Sequence, residues 1–103
     1  MNPRYRITKS ITEAEDQQVV LSLEECQVFF STQPDFLYTR EYVVRSGDTT
    51  MTIEGEFFMW QVGGKQVPFR YFEGDLYVAV SHELIYHKMV EVAQALDAQY
   101  VEG

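Results

Sequence analysis

The chain has 103 residues, 46% apolar and 15% aromatic, which suits one domain with a real core and is too apolar for a disordered chain. Eight Lys and Arg stand against 16 Asp and Glu, for a net charge of -8 and a pI near 4.6; a surface of that sign repels phosphate, so direct nucleic-acid binding is not expected. One cysteine excludes an internal disulfide and a cysteine zinc cluster, and no apolar run approaches the ~20 residues of a membrane span. MNPRYRITKS lacks the apolar centre of a signal peptide, so the chain reads as soluble and cytoplasmic, without a membrane partner. Its field would steer a basic protein partner toward it.

In chain order, residues 4–9 alternate Tyr5 and Ile7 with basic residues and read as a short first strand. Residues 11–18 are polar and acidic and read as a loop. Ser22-Leu23-Glu24-Glu25 is a capping box and predicts a helix over residues 23–32, closed by Pro34. Residues 36–80 read as a four-stranded antiparallel meander. Its turns are Ser46-Gly47-Asp48-Thr49, Val62-Gly63-Gly64-Lys65 and Glu73-Gly74-Asp75-Leu76. The period then changes: Ser81 is placed to cap a helix over residues 82–97, whose apolar stripe is Ile85, Met89, Val92, Ala93 and Leu96. Residues 99–103 read as a last short strand. The expectation is a single α+β domain over residues 1–103, its meander packed on one face by two helices, with an extra short strand at each terminus.

Two-residue loops at Gly63-Gly64 and Gly74-Asp75 set Trp60 opposite Val67, Phe58 opposite Phe69 and Tyr71 opposite Val78. One face then collects Phe58, Trp60, Val67, Phe69, Tyr71, Leu76, Val78 and Val80 as the core. Met51 and Ile53 have the wrong parity for that face, and a bulge near Gly55 would bring them onto it. Without one, Glu54 and Glu56 would share the core face, and two carboxylates alone do not indicate acid–base chemistry. The opposite face carries Phe57, Met59, Arg70, Phe72 and Tyr77, with Phe57 facing Arg70 and Phe72 facing Tyr77. Exposed aromatics around an arginine have the composition of a partner-binding surface. A cover by residues 4–9, by the loop before the first helix or by the C-terminal segment, or else a homodimer contact, are the plainer readings of that face.

Ser81-His82-Glu83-Leu84-Ile85-Tyr86-His87 invites a zinc reading. A zincin H-E-x-x-H places its histidines about 40° apart on a helix; His82 and His87, five apart, diverge by about 140°. HELIYH resembles the H-E-L-L-G-H motif of dipeptidyl peptidase III zinc enzymes. Glu24-Glu25-Cys26-Gln27-Val28-Phe29 is similar to their E-E-C-R-A-E motif, with Phe29 in place of the final Glu and the two motifs in reverse order. About a dozen positions carry the resemblance. It implies His82, Glu83, His87 and Glu25 as a metal and acid–base set. The competing reading keeps His82 and Glu83 at a helix start and pairs His87 with Glu91 on an exposed face. Cys26 reads as a small core residue, a Cys26–His87 nucleophilic pair being the alternative.

No phosphate loop, nucleophile elbow or calcium loop is present. The leading expectation is a small acidic, non-enzymatic protein-binding module of inhibitor, antidote or adaptor type. It has no cofactor and no bound metal, and it uses Phe57, Met59, Arg70, Phe72 and Tyr77. The rivals are a metal- or thiol-dependent hydrolase using His82, His87, Glu25 or Cys26, and a small-ligand carrier with a pocket between sheet and helices.

Overall fold

Six strands, the four of the meander and one from each terminus, make one antiparallel sheet in the computed structural model, which describes residues 4–9 and 20–103. The loop expected at residues 11–18 lies outside them. The elements are β1 (Arg4–Thr8), α1 (Leu23–Ser31), β2 (Phe36–Ser46), β3 (Thr49–Val62), β4 (Lys65–Phe72), β5 (Asp75–Ala79), α2 (Glu83–Ala95) and β6 (Gln99–Glu102). The spatial order is β2-β3-β4-β5-β1-β6. The meander is as expected. The terminal strands extend it: β1 pairs with β5, and β6 pairs with β1. No helix among the described residues is long and apolar enough to cross a membrane.

Local chemistry explains both helices. The Glu25 N–H donates to the Ser22 hydroxyl and the Ser22 N–H donates to the Glu25 carboxylate, each at 3.1 Å, closing the capping box. The Ser31 and Thr32 hydroxyls donate to the carbonyls of Val28 and Phe29 as α1 ends. At α2 the cap is His82, not Ser81: its Nδ1 accepts the Leu84 N–H at 3.1 Å. A ring nitrogen one residue farther on does the work expected of the serine.

The β3–β4 hairpin has the expected register, because Gly63 and Gly64 take φ of 55° and 77°. The β4–β5 hairpin turns one residue earlier than expected. Glu73 itself adopts φ 48°, so the loop is Glu73-Gly74 and Phe72 faces Asp75, Tyr71 faces Leu76 and Arg70 faces Tyr77. The register moves by two, which preserves parity and therefore the faces.

The helices cover the expected face. Phe58, Phe69, Leu76 and Val78 of the sheet join Ile85, Met89, Val92, Ala93 and Leu96 of α2 and Cys26 and Phe30 of α1 in one buried cluster. Phe30 stacks on Phe58 at 4.4 Å between ring centroids. Each such ring contributes about 1.5–3 kcal/mol by leaving water. A polar staple closes the layer beside Trp60. Asp35 accepts the indole N–H at 2.9 Å and the Lys88 ammonium at 3.2 Å, and Lys88 lies 5.4 Å from the Trp60 ring. Partial burial works against the Asp35 charge, but these two donors outweigh it and hold the carboxyl below its ordinary value.

The β2–β3 register shifts by one between Thr39↔Phe57 and Glu41↔Glu54, so two residues, Gly55 and Glu56, stand opposite Arg40 alone. This is the irregularity expected at Gly55, but its consequence is reversed. Tyr38 packs against Phe58 on the helix side, whereas Tyr42 packs 5.7 Å from Phe57 on the far side. Ile53, opposite Tyr42, and Met51, opposite Val44, therefore lie on the far face, and Met51 is 54% exposed. Arg40, Glu41, Glu54 and Glu56 line one hollow on the helix side. The inversion sits in β2, with Arg40 and Glu41 on the same side. Beyond it, residues 49–55 pair only with β2 among the described strands, and the helices do not reach them. The result is a two-stranded ribbon that accounts for a long axis of 50 Å against 28 and 27 Å.

Candidate functional site

On the far face the register places Arg70 between Phe57 and Tyr77, and Tyr77 between Arg70 and Arg6. Phe57 faces Arg70 as expected, while Phe72 faces Asp75 and not Tyr77. The arginine is clasped by aromatics: its guanidinium carbon lies 5.7 Å from the Phe57 centroid and 5.1 Å from that of Phe72. Arg4 sits 5.7 Å over Tyr77. The Phe57 ring also lies across Gly55, where a Cβ would stand 3.2 Å from it.

Exposure corrects the expected surface. Phe57 is 3% and Met59 2% exposed, so neither presents itself to a partner; Phe72 is 45% exposed, and Arg70 and Tyr77 are half-buried. Phe57 is enclosed by Tyr42, Arg70 and the bare Gly55 position. It forms a floor rather than a contact surface.

Charge is the feature that sequence reasoning missed. By register, the described residues of this face carry Arg4, Arg6 and Arg70, with Asp75 as the one carboxylate. Arg6 reaches Asp75 at 4.0 Å. The Nε atoms of Arg6 and Arg70 are buried and make no hydrogen bond among the described residues. Among its described residues this face is thus locally basic, although the chain as a whole has a net charge of -8. The alternation of Arg4 and Arg6 was visible, but its alignment with Arg70 depends on β1 docking beside β5, a long-range pairing.

The SHELIYH residues are not assembled into a site. His82 is a helix cap, and His87 Nε2 lies 3.4 Å from Glu83 on the exposed surface, so its partner is Glu83 and not Glu91. Glu91 pairs instead with Lys88 at 3.2 Å. Glu25 caps α1, accepts from Lys9 at 2.7 Å, and borders a hollow with Ala95, Leu96 and Asp97. Those residues end α2, which is ~20 Å long, so Glu25 and His82 stand at opposite ends of it. Among the described residues no group of three His, Cys, Asp or Glu side chains could hold a metal. Cys26 is fully buried, and burial, with the Glu25 charge beside it, pushes its thiol up to about 12, far from a reactive thiolate. Glu54 and Glu56 share a side after all, but Glu56 is engaged by the Tyr38 hydroxyl and by Arg40 at 3.7 Å.

The carrier reading has a place to attach. A groove of about 520 Å³ opens between Trp60, Val67 and Pro68 of the sheet and His82, Leu84 and Ile85 at the start of α2. It is an open cleft beside the core, not an enclosed pocket. Compared with protein-family models, curated proteins and solved structures, the chain matches none.

Proposed function

We propose that the protein is a small protein-binding module whose far sheet face grips an acidic segment of its partner. The observation that carries this reading is the row Arg6, Tyr77, Arg70, in which both arginines keep a buried Nε with no hydrogen bond among the described residues, beside exposed Phe72. Buried donors without partners are costly, and a carboxylate-bearing segment would supply the acceptors. The aromatic floor under Arg70 holds its guanidinium plane ready for such a contact. The basic partner suggested by the overall charge is replaced here by the opposite sign, because short-range recognition follows the charges of the contacting face. Nucleic acid fits less well, since the rest of the chain repels an extended polyanion.

The test is titration of isotope-labelled protein with two peptides of equal length and equal aromatic content, one rich in glutamate and one in lysine. The glutamate-rich peptide should shift the resonances of Arg4, Arg6, Arg70 and Phe72, and Arg70→Gln should abolish the effect while leaving the remaining spectrum folded. Shifts at these residues with the lysine-rich peptide alone, or none with the glutamate-rich one, would overturn the reading.

A further inference from the structure

Strand β2 is the long edge of the sheet, eleven residues without proline, and it exposes apolar side chains on both faces: Leu37 at 56% and Val43 at 44%. The opposite edge, β6, has only four residues. Sheet edges of this length normally carry some device against pairing. The inversion at Arg40 and Glu41 looks like one, yet it has a second geometric effect. A strand that alternates without interruption cannot pair with its own copy about a two-fold axis placed between two consecutive residues. Residues equidistant from that axis would point to opposite faces, whereas antiparallel partners share a face. In β2 the side chains of Arg40 and Glu41 lie on the same side, and alternation is reversed from there on. Equidistant residues about the 40/41 midpoint therefore do share a face.

We infer that the chain forms a two-fold homodimer by antiparallel pairing of β2 with β2 of a second copy, with Arg40 of each protomer opposite Glu41 of the other. The pairing is isologous, so this ion pair occurs twice at the centre. Moving outward, Thr39 meets Tyr42 on the far face and Tyr38 meets Val43 on the helix side. Leu37 then meets Val44 on the far face again, covering the exposed leucine. Every central pair is either opposite in charge or free of charge, which is the complementarity that a second copy supplies and a random strand does not. The ribbon, unsupported in one chain, would lie against the globular half of its neighbour. The two sheets would join into one of twelve strands. This surface is distinct from the Arg6–Arg70 row, so either proposal can fail alone.

The test is sedimentation velocity of the full chain over a concentration series, with no ligand added and with charge reversals read beside the parent. The parent should dimerise. Arg40→Glu alone and Glu41→Arg alone should each weaken the dimer at least about tenfold, because each places like charges opposite one another at both equivalent positions. Combining Arg40→Glu with Glu41→Arg should restore it, since opposite charges again meet across the axis even though the Arg40–Glu56 contact within each chain is lost. Circular dichroism of each variant checks that the fold is retained. A parent that stays monomeric at high concentration, a dimer indifferent to the single reversals, or a double variant no better than the singles would overturn the inference.

Discussion

The helix-covered half and the β2–β3 ribbon use similar residues and place them in opposite ways. Under the helices, Phe58, Phe69 and Leu76 point inward and are completely buried. Along the ribbon, the apolar Tyr42, Ile53 and Met51 point to the other face, and the helix side carries Arg40, Glu41, Glu54 and Glu56. The alternation of a strand marks two faces but does not say which is the core. That is decided by where the second layer ends. Here α1 and α2 stop short of the ribbon, so the side that is the core at Phe58 is solvent at Glu54.

The contrast between the two halves is greatest at Phe58. Phe58→Ala removes the ring stacked on Phe30 and should cost about 3–5 kcal/mol in urea unfolding with the slope unchanged. An effect below 1 kcal/mol would mean that the core is not packed as described. A smaller effect is expected at the staple that closes the covered half. Asp35→Asn keeps an acceptor for Trp60 but loses the charge facing Lys88, for a cost of about 1 kcal/mol at neutral pH. The pH dependence sharpens this. Asp35 and Glu25 both have carboxyls held below their ordinary values of 3.8 and 4.5. For Glu25, partial burial opposes the charge and Lys9 with the Ser22 N–H outweighs it. The stability they contribute is present above those ordinary values and is lost as pH falls through the depressed folded ones. Acid unfolding of Asp35→Asn should accordingly be shallower than that of the parent. The smallest effect belongs to the ribbon: Met51→Ala, at a half-exposed far-face position, should change the monomer's stability by no more than about 0.5 kcal/mol. A loss comparable to that of Phe58→Ala would show the ribbon packed against something in solution.

Most of the fold was legible where the signal is local. The capping box at Ser22, the glycine turns and the helical stripe from Ile85 to Leu96 each lie within one turn, one hairpin or one helix. The β4–β5 register was misread by two because Glu73, a residue that rarely takes positive φ, does so here. Parity survived the error, and so the core face did too. The bulge was legible from the clash of parities around Gly55. Its outcome was not, because nothing local says how far the helix layer extends. The aromatic composition of the candidate site was visible, yet the burial of Phe57 and Met59 was not. The arginine row needed the docking of β1 on β5, which joins residues some seventy positions apart in sequence.

Trp60 is the only tryptophan, and it sits where β3, α2 and the residue preceding β2 converge. The molecule therefore carries a single indole, shielded from water, hydrogen-bonded to one titrating carboxylate and faced by one cation. Its emission reads the closure of the covered half alone. The ribbon and the arginine face contribute no indole light, so changes there stay dark unless they pull on the junction itself.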